Sequence, residues 1–95
     1  MPAPAIHWWH MPQKLSQQEG MQRARAVLAT TANGQISGDE DTLRLVTSEF
    51  RAIINCVKRG DHDIFTIMIV AGNNDAQTLA IMEEIRTGMR GGIKD

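Results

Sequence analysis

One histidine of the chain has a carboxylate on each side, in Asp61-His62-Asp63. A carboxylate can orient a histidine for acid–base chemistry or raise its pKa. Neighbouring side chains in a turn point apart, however, and the sequence places no nucleophile beside this histidine. We therefore expect a solvated turn whose aspartates cap the next element, and we predict no catalytic residue.

The single cysteine, Cys56, is the one thiol that could act as a nucleophile. A reactive thiol needs an activating base or the N-terminal end of a helix. The sequence instead places Cys56 near the C-terminal end of a predicted helix, beside its apolar stripe. We therefore expect a buried, structural thiol.

A second cluster, His7-Trp8-Trp9-His10, places two imidazoles three residues apart beside both tryptophans of the chain. A metal site would need two further ligands, and no nearby cysteine or carboxylate supplies them. Tryptophan is a frequent interface anchor because it buries a large area with few rotatable bonds. We therefore predict that His7, Trp8, Trp9 and His10 bind a partner, and we predict neither a metal nor a cofactor.

The turn Gly72-Asn73-Asn74-Asp75 leads from an apolar run into a helical pattern. Backbone N–H groups in such turns can hold phosphate. This turn lacks the spaced glycines and the lysine of a phosphate loop, and Asp75 would repel an anion. A capped helix start is therefore the expected structure.

Composition narrows the class of protein. Ten basic and eleven acidic residues give a net charge of −1, without the basic excess of most nucleic-acid binders. One cysteine cannot form an internal disulfide, which favours a reducing, cytoplasmic location. No basic cluster followed by an apolar stretch indicates a secretory signal, and the longest apolar run is too short to span a bilayer.

Hydrophobic periodicity predicts a mainly α-helical domain with helices over about residues 16–31, 39–59 and 75–90. Ser16 with Glu19 has the spacing of a capping box, and Ser37 with Glu40 repeats it. The middle helix carries the clearest apolar stripe: Leu43, Val46, Phe50, Ile53, Ile54 and Val57. Three prolines in residues 1–13 favour an extended N-terminal arm, followed by one domain over residues 14–95.

Residues 64–71 are apolar at nearly every position, which indicates burial on all sides. β-branched residues favour a strand there, whereas a buried helix would satisfy its own backbone groups. The favoured interpretation adds a short buried helix to the three-helix domain. The alternative is an α+β fold, with strand 64–71 and a hairpin over residues 26–37 turned at Asn33-Gly34.

These observations predict a non-enzymatic homo-oligomer that binds another protein as an adaptor, regulator or inhibitor. The apolar segment and the last helix would form the oligomer interface, with Ile64, Phe65, Met68, Ile69, Met82 and Met89 as its residues. Two alternatives remain. One is a small-ligand or nucleotide-binding protein with pockets between subunits. The other is a DNA-binding repressor, in which the first two helices imitate a helix-turn-helix.

Overall fold

A five-stranded antiparallel sheet with two helices on one side forms the chain over residues 4–91, the part that this computed structural model describes. The elements in chain order are β1 (Ala5–Gln13), α1 (Gln17–Thr31), β2 (Gln35–Gly38), β3 (Thr42–Val46), β4 (Phe50–Gly60), β5 (Asp63–Gly72) and α2 (Asp75–Met89). The strand order across the sheet is β1-β5-β4-β3-β2. No helix in this part of the chain has the length and apolarity needed to cross a membrane.

The prediction of a mainly helical protein is wrong, because residues 39–59, predicted as a helix, contain the hairpin of β3 and β4. Buried side chains alternate along β4 at Phe50, Ala52, Ile54 and Cys56, which is the strand period. The hairpin turns where the Thr47 hydroxyl accepts hydrogen bonds from the backbone N–H groups of Glu49 and Phe50. This side-chain turn competes with a helix through the same residues.

The second predicted capping box does not form either. Glu40 begins no helix, and Asp39 instead accepts hydrogen bonds from the backbone N–H groups of Asp41 and Thr42. These bonds close the tight connection between β2 and β3. A polar stretch that would suit a helix start therefore makes a turn.

The apolar run 64–71 is a strand, β5, paired with β1 on one side and β4 on the other. The run therefore satisfies its backbone groups within one chain. The predicted hairpin over residues 26–37 is wrong, because Thr31 ends a helix and Asn33-Gly34 lies between α1 and β2. The alternative interpretation, an α+β fold with a strand over 64–71, is therefore right in its class and in that strand, and wrong in its hairpin.

Both helices begin at side-chain caps, within a residue or two of the predicted positions. Ser16 and Glu19 form the capping box: the Ser16 hydroxyl accepts from the Glu19 N–H, and the Glu19 carboxylate accepts from the Ser16 N–H. That backbone hydrogen bond lowers the pKa of Glu19. The Asn74 side chain caps α2 by accepting from the Gln77 N–H.

The core lies between the two helices and the sheet. Sheet side chains that face the helices are fully or nearly fully buried, among them Leu43, Leu45, Ile54, Ile64 and Met68. The buried polar residue Thr66 donates to the Gln13 amide oxygen at 2.7 Å, and the Gln13 amide donates to the Met89 carbonyl at 2.6 Å. This chain of hydrogen bonds ties β5, β1 and α2 together.

Two glycines allow the helices to approach closely. A Cβ atom at Gly20 would lie 2.5 Å from Ile64 Cδ1, so α1 packs directly on the sheet there. A Cβ atom at Gly88 would lie 2.7 Å from Val27 Cγ2, so α1 and α2 touch at this point. The same glycines, which weaken or fray an isolated helix, are sites of packing in the folded chain.

The segment predicted as an N-terminal arm is extended, and Ala5–Gln13 pairs with β5 along its whole length. It is therefore a strand of the sheet and not a separate arm. Residues 1–3 lie outside the described part of the chain. The two tryptophans are consequently placed by the sheet itself.

Replacing Gly88 with valine should lower the free energy of unfolding by about 2 kcal/mol, because the new side chain would overlap Val27. Ala80→Val, at an exposed position of α2, is the matched control and should cost about 0.5 kcal/mol through helix propensity alone. Urea denaturation followed by far-UV dichroism measures both. Adding Val27→Ala should recover part of the loss, and equal losses in the two single variants would contradict the helix contact.

Candidate functional site

The helices cover one face of the sheet, and within residues 4–91 no element covers the other. On the covered face, His7, Trp9 and Gln13 of β1 contact α2, and the neighbouring strands contribute the core. The alternate residues of each strand point away from both helices. We call this second surface the open face; it consists of Ile6, Trp8, His10 and Pro12 on β1, Phe65, Ile67, Ile69 and Ala71 on β5, Arg51, Ile53, Asn55 and Val57 on β4, Thr42, Arg44 and Val46 on β3, and Gln35 and Ser37 on β2.

The open face is apolar on the side of β1 and β5 and cationic towards β3. Ile6 and Trp8 are 60% and 61% exposed. A large exposed apolar patch on a small protein usually marks an interaction surface. Arg44 and Arg51 are exposed on the opposite side of this surface.

An aromatic cluster organises the apolar part. The Trp8 and His10 rings stack with centroids 5.3 Å apart, and His10 lies 5.3 Å from the Phe65 ring. Arg59 lies over the other end of the cluster, 5.5 Å from the Phe65 centroid, and also pairs with Asp63 at 3.0 Å. These contacts fix the aromatic side chains in place while leaving them accessible.

The two tryptophans have different environments because adjacent residues of a strand point to opposite faces. Trp8 lies on the open face. Trp9 lies on the helix side, where the Arg86 guanidinium is 4.8 Å from its ring centroid. Arg86 in turn donates to Glu83 at 2.6 Å. The sequence prediction treated Trp8 and Trp9 as one unit, and the structure separates them.

Strand β1 is also an edge of the sheet, and its free backbone groups can be assigned from the pairing. The Cys56 N–H donates to the Asp41 carbonyl, so the backbone groups of Cys56 point towards β3. The backbone groups of its neighbour Asn55 therefore point towards β5 and form the hydrogen-bonded pair with Ile67. The backbone groups of residues 66 and 68 then point towards β1, and those of their partners Met11 and Trp9 point back towards β5.

By the same alternation, Ile6, Trp8 and His10 direct their N–H and C=O groups away from the sheet. Pro12 has the same parity, and a proline is accommodated in a strand where its nitrogen faces away from the pairing partner. The residues that contribute side chains to the open face therefore also contribute the backbone groups of the free edge.

A shallow cavity of about 230 Å³ lies at this edge and is lined by Trp8, Trp9 and His10. Because Trp9 points to one face and the other two residues point to the opposite face, the cavity extends across the strand edge. His7 lies further along β1, where its Nε2 is 2.9 Å from Asp75 Oδ1 at the start of α2. The four predicted partner-binding residues thus lie on one strand but on two faces.

The predicted oligomer-interface residues divide in a similar way. Phe65 and Ile69 are half-buried on the open face. The other four, Ile64, Met68, Met82 and Met89, lie in the core between helices and sheet. Sequence reasoning missed Ile53, Ile67 and Val57, which continue the apolar surface; strand alternation from residue 50 onward is the signal that would have found them.

The candidate reactive residues, His62 and Cys56, and the turn before α2 do not come together in one site. His62 is 81% exposed in the turn between β4 and β5, and Glu19, at 3.9 Å, is the acidic partner of its ring. Asp63 pairs with Arg59 instead. Cys56 is fully buried, and this burial raises the pKa of its thiol to about 11. In the turn Gly72-Asn73-Asn74-Asp75, the Asn74 side chain caps α2, as the sequence predicts.

Within residues 4–91, no three histidine, cysteine, aspartate or glutamate side chains are grouped closely enough to hold a metal ion. The helix-turn-helix considered for DNA binding required a helix over residues 39–59, which are strands. Two further recesses of about 320 and 350 Å³ lie at the β3–β4 turn and beside α1. Their linings mix polar side chains with apolar ones, among them Phe50 in the first and Met21 and Leu43 in the second.

The fold and surface define an α+β protein with helices on one face of an antiparallel sheet. No protein-family model matches the chain, and no curated protein or solved structure is significantly similar to it.

The thiol of Cys56 should react slowly in the folded protein because it is buried and protonated. At pH 8 the rate of labelling by DTNB should be at least about 100-fold lower than in guanidinium, where the thiol regains its ordinary pKa. The absorbance of the released chromophore reports one thiol, since the chain has a single cysteine. Comparable rates in the two conditions would identify an accessible, reactive thiol.

Proposed function

We propose that this is a non-enzymatic binding protein that captures an extended segment of another protein along the free edge of β1. In the cell it would act as an adaptor, regulator or inhibitor of that protein. The observation that carries the proposal is the edge of β1, where backbone groups that pair with no other described strand lie beside a tryptophan-lined cavity.

Strand addition is a general way to recognise an extended peptide. Backbone hydrogen bonds to the edge provide affinity, and alternate side chains of the peptide enter pockets on the two faces. The outward N–H and C=O groups of Ile6, Trp8 and His10 supply the first contribution. Many sheets protect such an edge with lysine, proline, a bulge or a covering helix. β1 has no lysine, its proline lies at the last position but one, Pro12, and it pairs with β5 in continuous register from Ala5 to Gln13.

The side chains beside the edge favour aromatic or aliphatic residues in the bound segment. Trp8 and His10 flank the edge on the open face, and Trp9 flanks it on the helix side. The stacking of Arg86 on Trp9 holds that ring in position before a partner arrives. A preformed wall of this kind lowers the entropy lost on binding.

The lone thiol of Cys56 is consistent with a reducing compartment, and we propose the cytoplasm as the location.

A proline at position 10 provides a specific test, because His10 directs its N–H away from the sheet. His10→Pro should remove that donor and obstruct the edge without breaking a bond between β1 and β5. His10→Ala is the matched control, since it removes the same ring and keeps the donor. Peptides selected from a random phage-displayed library on the wild-type protein should bind His10→Ala but bind His10→Pro at least about tenfold more weakly.

Isothermal titration calorimetry measures these affinities, since it needs no tryptophan in the protein, and far-UV dichroism checks that both variants keep the wild-type fold. The double variant Trp8→Ala, Trp9→Ala should also lose the peptides while retaining its helical signal. Selected peptides that bind all of the variants as tightly as the wild type would exclude the β1 edge as the binding site.

A further inference from the structure

The open face is a second surface, distinct from the edge, and its residues form rows across the sheet. In one row Trp8 pairs with Ile69, Ile69 with Ile53, and Ile53 with Arg44. An aromatic ring therefore lies at one end of the row, a guanidinium at the other, and two isoleucines between them. We infer that the open face binds a second copy of this chain, with the two sheets packed face to face around a two-fold axis parallel to the strands. This inference does not depend on the proposed function of the edge.

The order of side chains in the row makes the surface self-complementary. A two-fold axis that runs along the strands between β5 and β4 places β1 of one copy over β3 of the other. Trp8 then faces Arg44 of the second copy, and Ile69 faces Ile53. An arginine over an indole ring is a favourable cation–π contact, and the symmetry makes it twice.

The neighbouring row has an aliphatic residue at each end, and its arginine lies on β4. Ile6 pairs with Ala71, Ala71 with Arg51, and Arg51 with Val46. The same axis brings Ile6 over Val46 of the second copy, so exposed aliphatic side chains cover each other. The strand axes of the two sheets are nearly aligned, with facing strands antiparallel, which corresponds to the usual aligned packing of β-sandwiches.

Charge distinguishes this arrangement from the other face-to-face dimer. If the axis ran across the strands, β3 would face β3 and the arginines of both copies would gather on one side. Asp39, between β2 and β3, interacts electrostatically with Arg44 but lies outside these two rows, so the four guanidinium groups would still repel each other. The axis along the strands places the two Arg44 side chains at opposite ends of the interface, each over an aromatic ring, and only the Arg51 side chains, each over Ala71 of the other copy, lie near the axis.

The size of the surface is adequate for a dimer. Strands β1, β5, β4 and β3 have 9, 10, 11 and 5 residues, so about 3.3 Å per residue and about 4.8 Å between strands give a flat footprint of about 550 Å². Protruding side chains have more accessible area than their footprint. The surface therefore approaches the range of about 600 to 800 Å² per partner that small specific interfaces bury.

The test is the oligomeric state of the full chain and of charge-reversal variants, measured by sedimentation equilibrium over a range of concentrations. The wild type should have twice the mass of the chain. Arg44→Glu, at an exposed position, should raise the dimer dissociation constant at least about tenfold, because a carboxylate would then face the negative surface of the indole. Arg44→Lys keeps the cation and should remain a dimer.

Arg25→Glu makes the same charge change on α1, away from the open face, and should leave the dimer intact. Ile69→Asp should produce a monomer, whereas Leu79→Asp on the exposed side of α2 should not.

A wild type that is monomeric at all concentrations, or a dimer that Ile69→Asp leaves unchanged, would overturn the inference. A dimer that Ile69→Asp weakens but Arg44→Glu does not would also overturn it, since β1 would then not lie over β3. None of these results depends on peptide binding at the edge, which the variants of His10 decide separately.

Discussion

The structure depends on one constraint: a five-stranded sheet has two faces, and the two helices of this chain pack on one of them. The core forms between α1, α2 and the covered face, where Leu28, Ile54 and Met68 are fully buried. Strand β5 is apolar on its other face as well, with Phe65, Ile67 and Ile69. Strand β5 therefore has more apolar side chains than the helices can cover, and the uncovered ones form the centre of the open face.

The apolar run of β5 was the most informative feature of the sequence, and its meaning was only partly predictable. The run predicts burial on every side, and that burial in a short chain favours an oligomer. In the structure its backbone is enclosed by β1 and β4, one row of side chains lies in the core, and the other row is half-buried. Periodicity cannot distinguish such a strand from a short buried helix, because both read as a continuous apolar run.

The helices and their caps were predictable, whereas the β3–β4 hairpin was not. Ser16 with Glu19 is a local signal, and its hydrogen bonds need no tertiary contact. In the hairpin, Leu43 and Ile54 fit both a helical stripe and a strand alternation, and the deciding element is the turn made by Thr47. The pairing of β1 with β5 joins residues nearly sixty positions apart, so the two faces of Trp8 and Trp9 could not follow from local sequence.

The alternation of residues along β1 links the edge and the open face. Ile6, Trp8 and His10 give their side chains to the face and their backbone groups to the edge, because alternate residues of an edge strand share both directions. A copy seated on the open face would add a contact to the Trp8 side chain, which already stacks on His10, and would leave the outward N–H of Trp8 free. An extended segment that then paired with β1 would meet a strand whose side chains are already ordered, and less conformational entropy would remain to be lost. Dimerisation and edge recognition would therefore favour each other through one strand, without any change in the fold.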